Sequence, residues 1–318
     1  AMFPLKKPRN PSLAQIDVKP EPKVWNACAV APFVIVVCAP DATDVAHTVP
    51  AAAAFAAAMV ASDVAAMRIA MTFNGELTVL ETIPDIPPAI MTPWNPAYYR
   101  KLVESYGYNG IQDLSGYDIP AGPNLAVPER IQRLAERSAR TTGVTFRTLN
   151  LEFLEQEAQK ILDLYCQAWA GNWGFTPRAW DEFWHTAKHL KSVLLRDLSF
   201  VAEADDQVIG FMMIVRDINR ILSHVPSGRL WPTTLLRLAR DLPKVQRGRI
   251  VLMGLSSEYR HKGLFPLFAY EAARRAKDIG FEGAEASWVL NDNKALTKPM
   301  AAMGMNPYKR WRLYEKTI

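Results

Sequence analysis

Apolar and polar positions alternate with period two over Val144–Leu149, which predicts a strand. From Phe153 to Trp169 the spacing becomes helical, with Leu154, Ala158, Ile161, Leu162, Tyr165 and Trp169 on one side. The loop Asn172–Pro177 leads into a second predicted helix, Trp180–Leu195. Two strands, Leu198–Ala204 and Val208–Arg216, flank the hairpin turn Asp205-Asp206-Gln207. Beyond a long insertion, residues 218–247, come strand Arg249–Leu255, helix Gly263–Ile279, strand Glu282–Val289, helix Lys294–Met303 and strand Tyr308–Glu315. Gly280 and Gly304 stop the two helices. The order β-α-α-β-β-(insertion)-β-α-β-α-β predicts an α/β fold with a mixed sheet, of the α+β kind.

The N-terminal part reads differently. Prolines at positions 4, 8, 11, 20 and 22 make residues 1–23 an irregular arm. Residues 24–118 read as a lobe of their own. Val34–Val37 is a strand, 42–61 a helix capped by Asp41 or Asp44, Val64–Met71 a strand, 96–105 a helix ended by Gly107, and Asn109–Asp118 a strand. Residues 119–143 form a linker with the charged helix Glu129–Ala139, and 144–318 form the C-terminal domain.

Composition narrows the function. The chain has 318 residues, 49% hydrophobic and 22% charged, a globular composition with enough apolar material for real cores. The net charge of +5 comes from scattered basic residues, which suits an anionic small molecule, so nucleic acid is not expected. Cys28, Cys38 and Cys166 form no C-x-x-C pair, so a reduced, cytoplasmic setting is expected. No apolar h-region follows the first residues, and no signal peptide is expected. Ala27–Ala39 is interrupted by Pro32 and shorter than the ~20 residues a spanning helix needs. Val49–Met71 is broken by Asp63 and Arg68, so no membrane partner is expected. His185 and His189 have i, i+4 spacing, but no Glu follows His185, and no metal site is expected.

The most informative segment is Leu252-Met253-Gly254-Leu255-Ser256-Ser257-Glu258-Tyr259-Arg260-His261-Lys262-Gly263-Leu264-Phe265. A strand runs into a basic, glycine-containing turn at the start of a helix, where backbone N–H groups and positive potential converge on an anion. Downstream come Trp288-Val289-Leu290-Asn291-Asp292-Asn293-Lys294-Ala295, then Ala302-Met303-Gly304-Met305, then Tyr308–Lys316. These segments resemble the GNAT (Gcn5-related N-acetyltransferase) superfamily over residues 144–318, and more narrowly a group of bacterial tandem-GNAT proteins. The family's loop is written [R/Q]-x-x-G-x-[G/A]; Arg260 and Gly263 match, whereas Phe265 stands at the last position. Asn95-Pro96-Ala97-Tyr98-Tyr99, Gly107 and Tyr117 echo Asn293–Thr297, Gly304 and Tyr314, so residues 33–118 resemble a degenerate second lobe without the loop motif.

The resemblance implies acetyl-CoA or another acyl-CoA as cosubstrate, an amine or amino-acid-like acceptor, and no metal. Met253, Gly254 and Leu255 would pair with the pantetheine amides. Arg260, His261, Lys262, Gly263, Leu264 and Phe265 would hold the pyrophosphate, and Asn293 would contact the cofactor. Glu285 is the candidate general base, on one pleat face with Ser287. The helix tyrosine that often serves as acid is missing from Lys294–Met303, which leaves Tyr308 and Tyr314 as substitutes. Trp173 and Phe175, with Trp169, Trp180 and Trp184 near them, form an aromatic wall suited to an apolar acceptor or a long acyl chain. The insertion, with Trp231, Arg229, Arg237, Arg240 and Lys244, reads as a lid or an interface, and the chain as a monomer or homodimer. Two readings follow: an N-acyltransferase, and a non-catalytic relic that binds a ligand or partner in the same cleft.

Overall fold

The computed structural model describes residues 70–72, 76–81, 87–122, 127–173, 175, 177–224, 232–260 and 262–315. The arm 1–23, the strand Val34–Val37, the helix 42–61 and most of Val64–Met71 lie outside them. In chain order the strands are β1 Ala70–Thr72, β2 Glu76–Leu80, β3 Asn109–Pro120, β4 Thr145–Thr148, β5 Phe200–Ala204, β6 Gln207–Arg216, β7 Arg247–Leu255, β8 Gly283–Leu290 and β9 Pro307–Glu315. The helices are α1 Tyr99–Ser105, α2 Glu129–Thr142, α3 Leu154–Trp169, α4 Trp180–Leu190, α5 Asn219–Leu222, α6 Pro232–Asp241, α7 Ser257–Arg260, α8 Leu264–Asp278 and α9 Lys294–Ala302.

The nine strands of the described residues join in one mixed sheet, ordered β1-β2-β9-β3-β8-β7-β6-β5-β4. Every neighbouring pair is antiparallel except β7 and β8, which run parallel. This is a mixed α/β arrangement of the kind the element order predicts. The β5–β6 hairpin turns on Asp205 and Asp206, both at positive φ (51° and 60°), the backbone that matches the right-handed twist of its strands. Leu264, Leu267 and Phe268 of α8 pack on Phe200, Met212 and Ile214 on one face. Leu154, Ile161 and Leu164 of α3 pack on Val201 and Phe211 on the other. Burying each such side chain contributes ~1.5–3 kcal/mol.

Three features differ from the patterned expectation. The second helix of the C-terminal half stops at Leu190 rather than Leu195. The sheet edge captures the chain there: Leu194 bridges to Val215, and the Leu195 amide donates to the Ile214 carbonyl at 2.8 Å. The short strand β2 was not expected, and it covers the edge of β9. Finally, β3 lies between β8 and β9, paired to both, so a strand from the N-terminal half completes the sheet of the C-terminal half.

Candidate active site

The parallel ladder between β7 and β8 is short. Arg247, Gly248, Arg249 and Ile250 pair with Gly283, Ala284, Glu285 and Ala286, and the pairing ends there. On its other side β7 stays paired to β6, with Met213 opposite Leu252 and Ile214 opposite Ile250. Val251 is therefore an extra, bulged residue, which bends the strand at that point. β8 is paired to β3 along its length, from Gly283 opposite Pro120 to Leu290 opposite Leu114, and keeps that partner where its ladder with β7 has ended. The edge of β7 over Leu252, Met253 and Gly254 is left without a strand partner on the β8 side. Such an edge offers main-chain groups to an extended ligand. Gly254 pairs with Phe211, whose ring stacks on Trp169; a Cβ at Gly254 would stand 2.6 Å from Phe211 and 2.8 Å from Trp169.

After Leu255 the chain makes α7 and a turn. The Lys262 amide donates to the Tyr259 carbonyl at 3.0 Å, and the Ser256 amide to the Ile209 carbonyl at 2.8 Å. The Ser138 hydroxyl on α2 donates to the Lys262 carbonyl at 2.9 Å and ties the turn down. Gly263 has φ 78°, a left-handed backbone that suits glycine. Leu264 and Phe265 then open α8, where the first amides have no acceptor within the helix and the helix dipole is positive. Pro266 follows and brings no N–H. Lys262 places its ammonium 4.3 Å from the Tyr259 ring. His261 and the side chain of Arg260 lie outside the described residues. Phe265 packs with Ile250, Leu296 and Met300 along the side of the opened ladder.

Beneath the opening lies a closed polar cluster. Lys309 donates to Glu285 Oε2 at 2.7 Å, Tyr308 donates to the same oxygen, and Ser287 donates to Oε1 at 2.7 Å. Arg249 donates to Ser287 Oγ at 3.0 Å and to its carbonyl at 2.9 Å. Burial alone would raise the Glu285 carboxyl. The Lys309 ammonium and the three hydrogen bonds outweigh it and hold the group below the usual range. Burial, then the Glu285 charge, pushes the Tyr308 phenol up, so it stays protonated. Burial lowers the Arg249 guanidinium to about 10.

The segment 87–95 is strapped over this cluster. Arg249 donates to the carbonyls of Ile90 and Met91 at 3.0 and 2.9 Å. The Ile90 amide donates to Asp217 at 2.9 Å, Asn219 donates to the Pro88 carbonyl at 2.9 Å, and the Trp311 indole donates to the Pro93 carbonyl at 3.3 Å. Burial raises the Asp217 carboxyl.

Glu285, Ser287 and Tyr308 are thus brought together; Ser287 and Glu285 are buried and bonded to protein groups. Tyr314 is not among them. Its hydroxyl reaches Glu81 and Glu104, each at 3.3 Å, within a separate core of Val79, Tyr99 and Val103. Asn293 caps the start of α9 through its carbonyl, bonded by Thr297 and Leu296; its side chain makes no cap bond. Trp173 is 41% exposed, and Phe175 meets Tyr165 edge-on at 5.6 Å, both on the α3–α4 side. Lys309 and Arg249 were not singled out from the sequence. The signal for Lys309 was a lysine in period two with Trp311 and Leu313, an inward face. Among the described residues no group of three His, Cys, Asp or Glu could hold a metal ion.

No family model matches the sequence. The chain is 32% identical over 255 residues to a protein named bacterial ceramide synthase from Caulobacter vibrioides (strain NA1000 / CB15N), covering 78% of this chain and 65% of that one. It is 28% identical over 240 residues to Protein YghO of Escherichia coli (strain K12), covering 74% and 60%. A solved structure of a GCN5-related N-acetyltransferase from Sphaerobacter thermophilus is 15% identical, with a TM-score of 0.46, covering 76% of this chain and 60% of that one. The chain spans less than two thirds of the length of the curated relatives it matches.

Proposed function

We propose that this chain transfers an acyl group from acyl-CoA to an amine. The observation that carries the reading is the parallel ladder that opens at a bulge directly before a turn and a helix N-terminus. Leu252, Met253 and Gly254 pair with the pantetheine amides as an added strand would, and a β7 amide past the bulge polarises the thioester carbonyl. The turn at Lys262 and Gly263 with the first amides of α8 receives the pyrophosphate. The amine nitrogen attacks the carbonyl carbon, the C–S bond breaks, and CoA leaves as thiolate. One proton passes from nitrogen to sulfur. Tyr308 relays it, giving its hydroxyl proton to the sulfur as it takes one from the nitrogen, and Glu285 and Lys309 act as positioning residues that hold its hydroxyl.

The aromatic wall of Trp169, Trp173 and Phe175 and the apolar lining of Phe265, Leu296 and Met300 favour apolar partners. The name of the Caulobacter relative points the same way, since a ceramide is the N-acyl product of a long-chain amino alcohol. The acceptor is therefore read as an apolar amine and the donor as a fatty acyl-CoA. A second reading, ligand binding without turnover, draws on one observation: Phe265 stands where the family loop has Gly or Ala, and its ring packs with Ile250, Leu296 and Met300.

Isothermal titration of the chain with acetyl-CoA and with palmitoyl-CoA tests the proposal, followed by release of free CoA thiol with a long-chain amino alcohol added. Binding with thiol release supports acyl transfer, binding without release supports the second reading, and no heat with either thioester overturns both.

A further inference from the structure

We infer that His185 and His189 form a chelate for a zinc ion on the exposed side of α4. The two residues lie one helical turn apart, and both are exposed. Their rings meet edge to face with centroids 4.5 Å apart, and the two Nε2 atoms stand 3.2 Å from each other. The spacing alone predicts no metal, since no Glu follows His185. What spacing does not show is that both rings turn their ε nitrogens to the same place.

That separation is the one a shared ion requires. Zinc sits about 2.0–2.1 Å from an imidazole nitrogen, so nitrogens 3.2 Å apart subtend roughly 100–106° at the ion, near the tetrahedral angle. A square-planar ion would draw the same nitrogens to about 2.9 Å. Two positions remain for water, as in an open zinc site. A hydrogen bond between the rings gives the same contact, but water serves exposed nitrogens about as well, so that bond alone is a weak reason for the rings to converge. The surroundings suit a cation. His189 is in the last turn of α4, at the negative end of the helix dipole. Lys188, the cation nearest in sequence, holds its ammonium 5.4 Å from the centre of the Trp184 ring.

The chelate sits on an element that gains from it. No residue of α4 is buried. The helix rests on the sheet through Phe183 and Trp184, which pack with Tyr165, Trp169 and Phe211. A helix with so little buried surface opens locally at low cost. An ion joining positions i and i+4 binds the helical form and stabilises it. Trp169 is the ring that stands against Gly254 on the β7 edge, so an occupied chelate steadies the wall beside the opening. The chelate stands without the acyl-transfer reading, because it uses no residue of the cleft.

Calorimetric titration of the full chain with ZnCl2, after dialysis against a chelator, tests it, with MgCl2 as the hard-cation control and no acyl-CoA present. Zinc is expected to bind saturably and to raise the thermal midpoint. Magnesium, which takes oxygen ligands, is expected to do neither. His185→Gln and His189→Gln are each expected to weaken zinc binding by at least roughly tenfold, the cost of losing even an outer-shell partner. Both variants are expected to lose the zinc-induced rise in midpoint and to keep the metal-free midpoint of the wild type. No heat with zinc, equal heat with magnesium, or wild-type zinc affinity in either variant overturns the inference; the last result would place zinc on other residues. Zinc binding intact in a chain that takes up no acyl-CoA would instead count against the acyl-transfer reading alone.

Discussion

Lys309 holds its ammonium 2.7 Å from the Glu285 carboxylate although the two residues are not on neighbouring strands. They are 2% and 4% exposed. β3 runs between β9 and β8, and Gly116 is the residue of β3 that pairs with Lys309. The pair therefore crosses a strand at a position that carries no side chain. The N-terminal half supplies the strand, the C-terminal half supplies both charges, and neither half builds the cluster alone.

Lys309→Met leaves a buried carboxylate without its cation. The expected cost is ~3–5 kcal/mol of stability, read as a lowered denaturation midpoint in urea. Adding Glu285→Gln is expected to recover part of that loss, because the double variant has no uncompensated charge. A double variant worse than both singles would contradict the ion pair's role.

Gly116→Val places its branched side chain against Trp311 and Lys309, whose atoms stand 2.9 and 3.3 Å from where a Cβ would sit. Overpacking of this kind costs ~1–3 kcal/mol. A thermal melt checks it, and a midpoint equal to wild type would show that the cluster has room to spare.

The depressed Glu285 carboxyl sets a pH dependence. Its folded value lies below its unfolded value of about 4.3. Its contribution is therefore complete above that unfolded value and is lost as pH falls through the folded one. The stability difference between wild type and Glu285→Gln is expected to be constant near neutrality and to shrink below roughly pH 4.3. Urea titrations across that range measure it; a difference that grows on acidification would mean that the carboxyl is raised instead.

Gly263→Val forces a branched residue into φ 78°, a strain of ~1–3 kcal/mol. The turn is expected to relax and move its amides. Acyl-CoA affinity then falls by roughly tenfold while the fold persists, read by titration beside a thermal melt. Unchanged affinity would separate the turn from the pyrophosphate.

Much of this was legible because the C-terminal half carries its own local signals. Gly280 and Gly304 adopt positive φ at the helix ends the pattern marked, and Asp205-Asp206 makes the expected hairpin. The strand–turn–helix through Leu255 and Gly263 stands where the spacing placed it. What escaped was non-local. The register of β3 between β8 and β9 depends on partners far along the chain, from Gly283 opposite Pro120 to Glu315 opposite Asn109, and no periodicity records that. Lys309 and Arg249 are buried by the strap and by neighbouring strands that come from distant parts of the chain. Tyr314 shares a strand with Tyr308, yet its hydroxyl meets Glu81 and Glu104 instead of Glu285. Sequence proximity could not separate the two.

Amide hydrogen exchange, with and without palmitoyl-CoA, tests the central claim most directly. The account predicts new protection at Leu252, Met253 and Gly254 and at the first amides of α8, with β5 and β6 unchanged. Protection that arises elsewhere, with the β7 edge exchanging as freely as before, would contradict it.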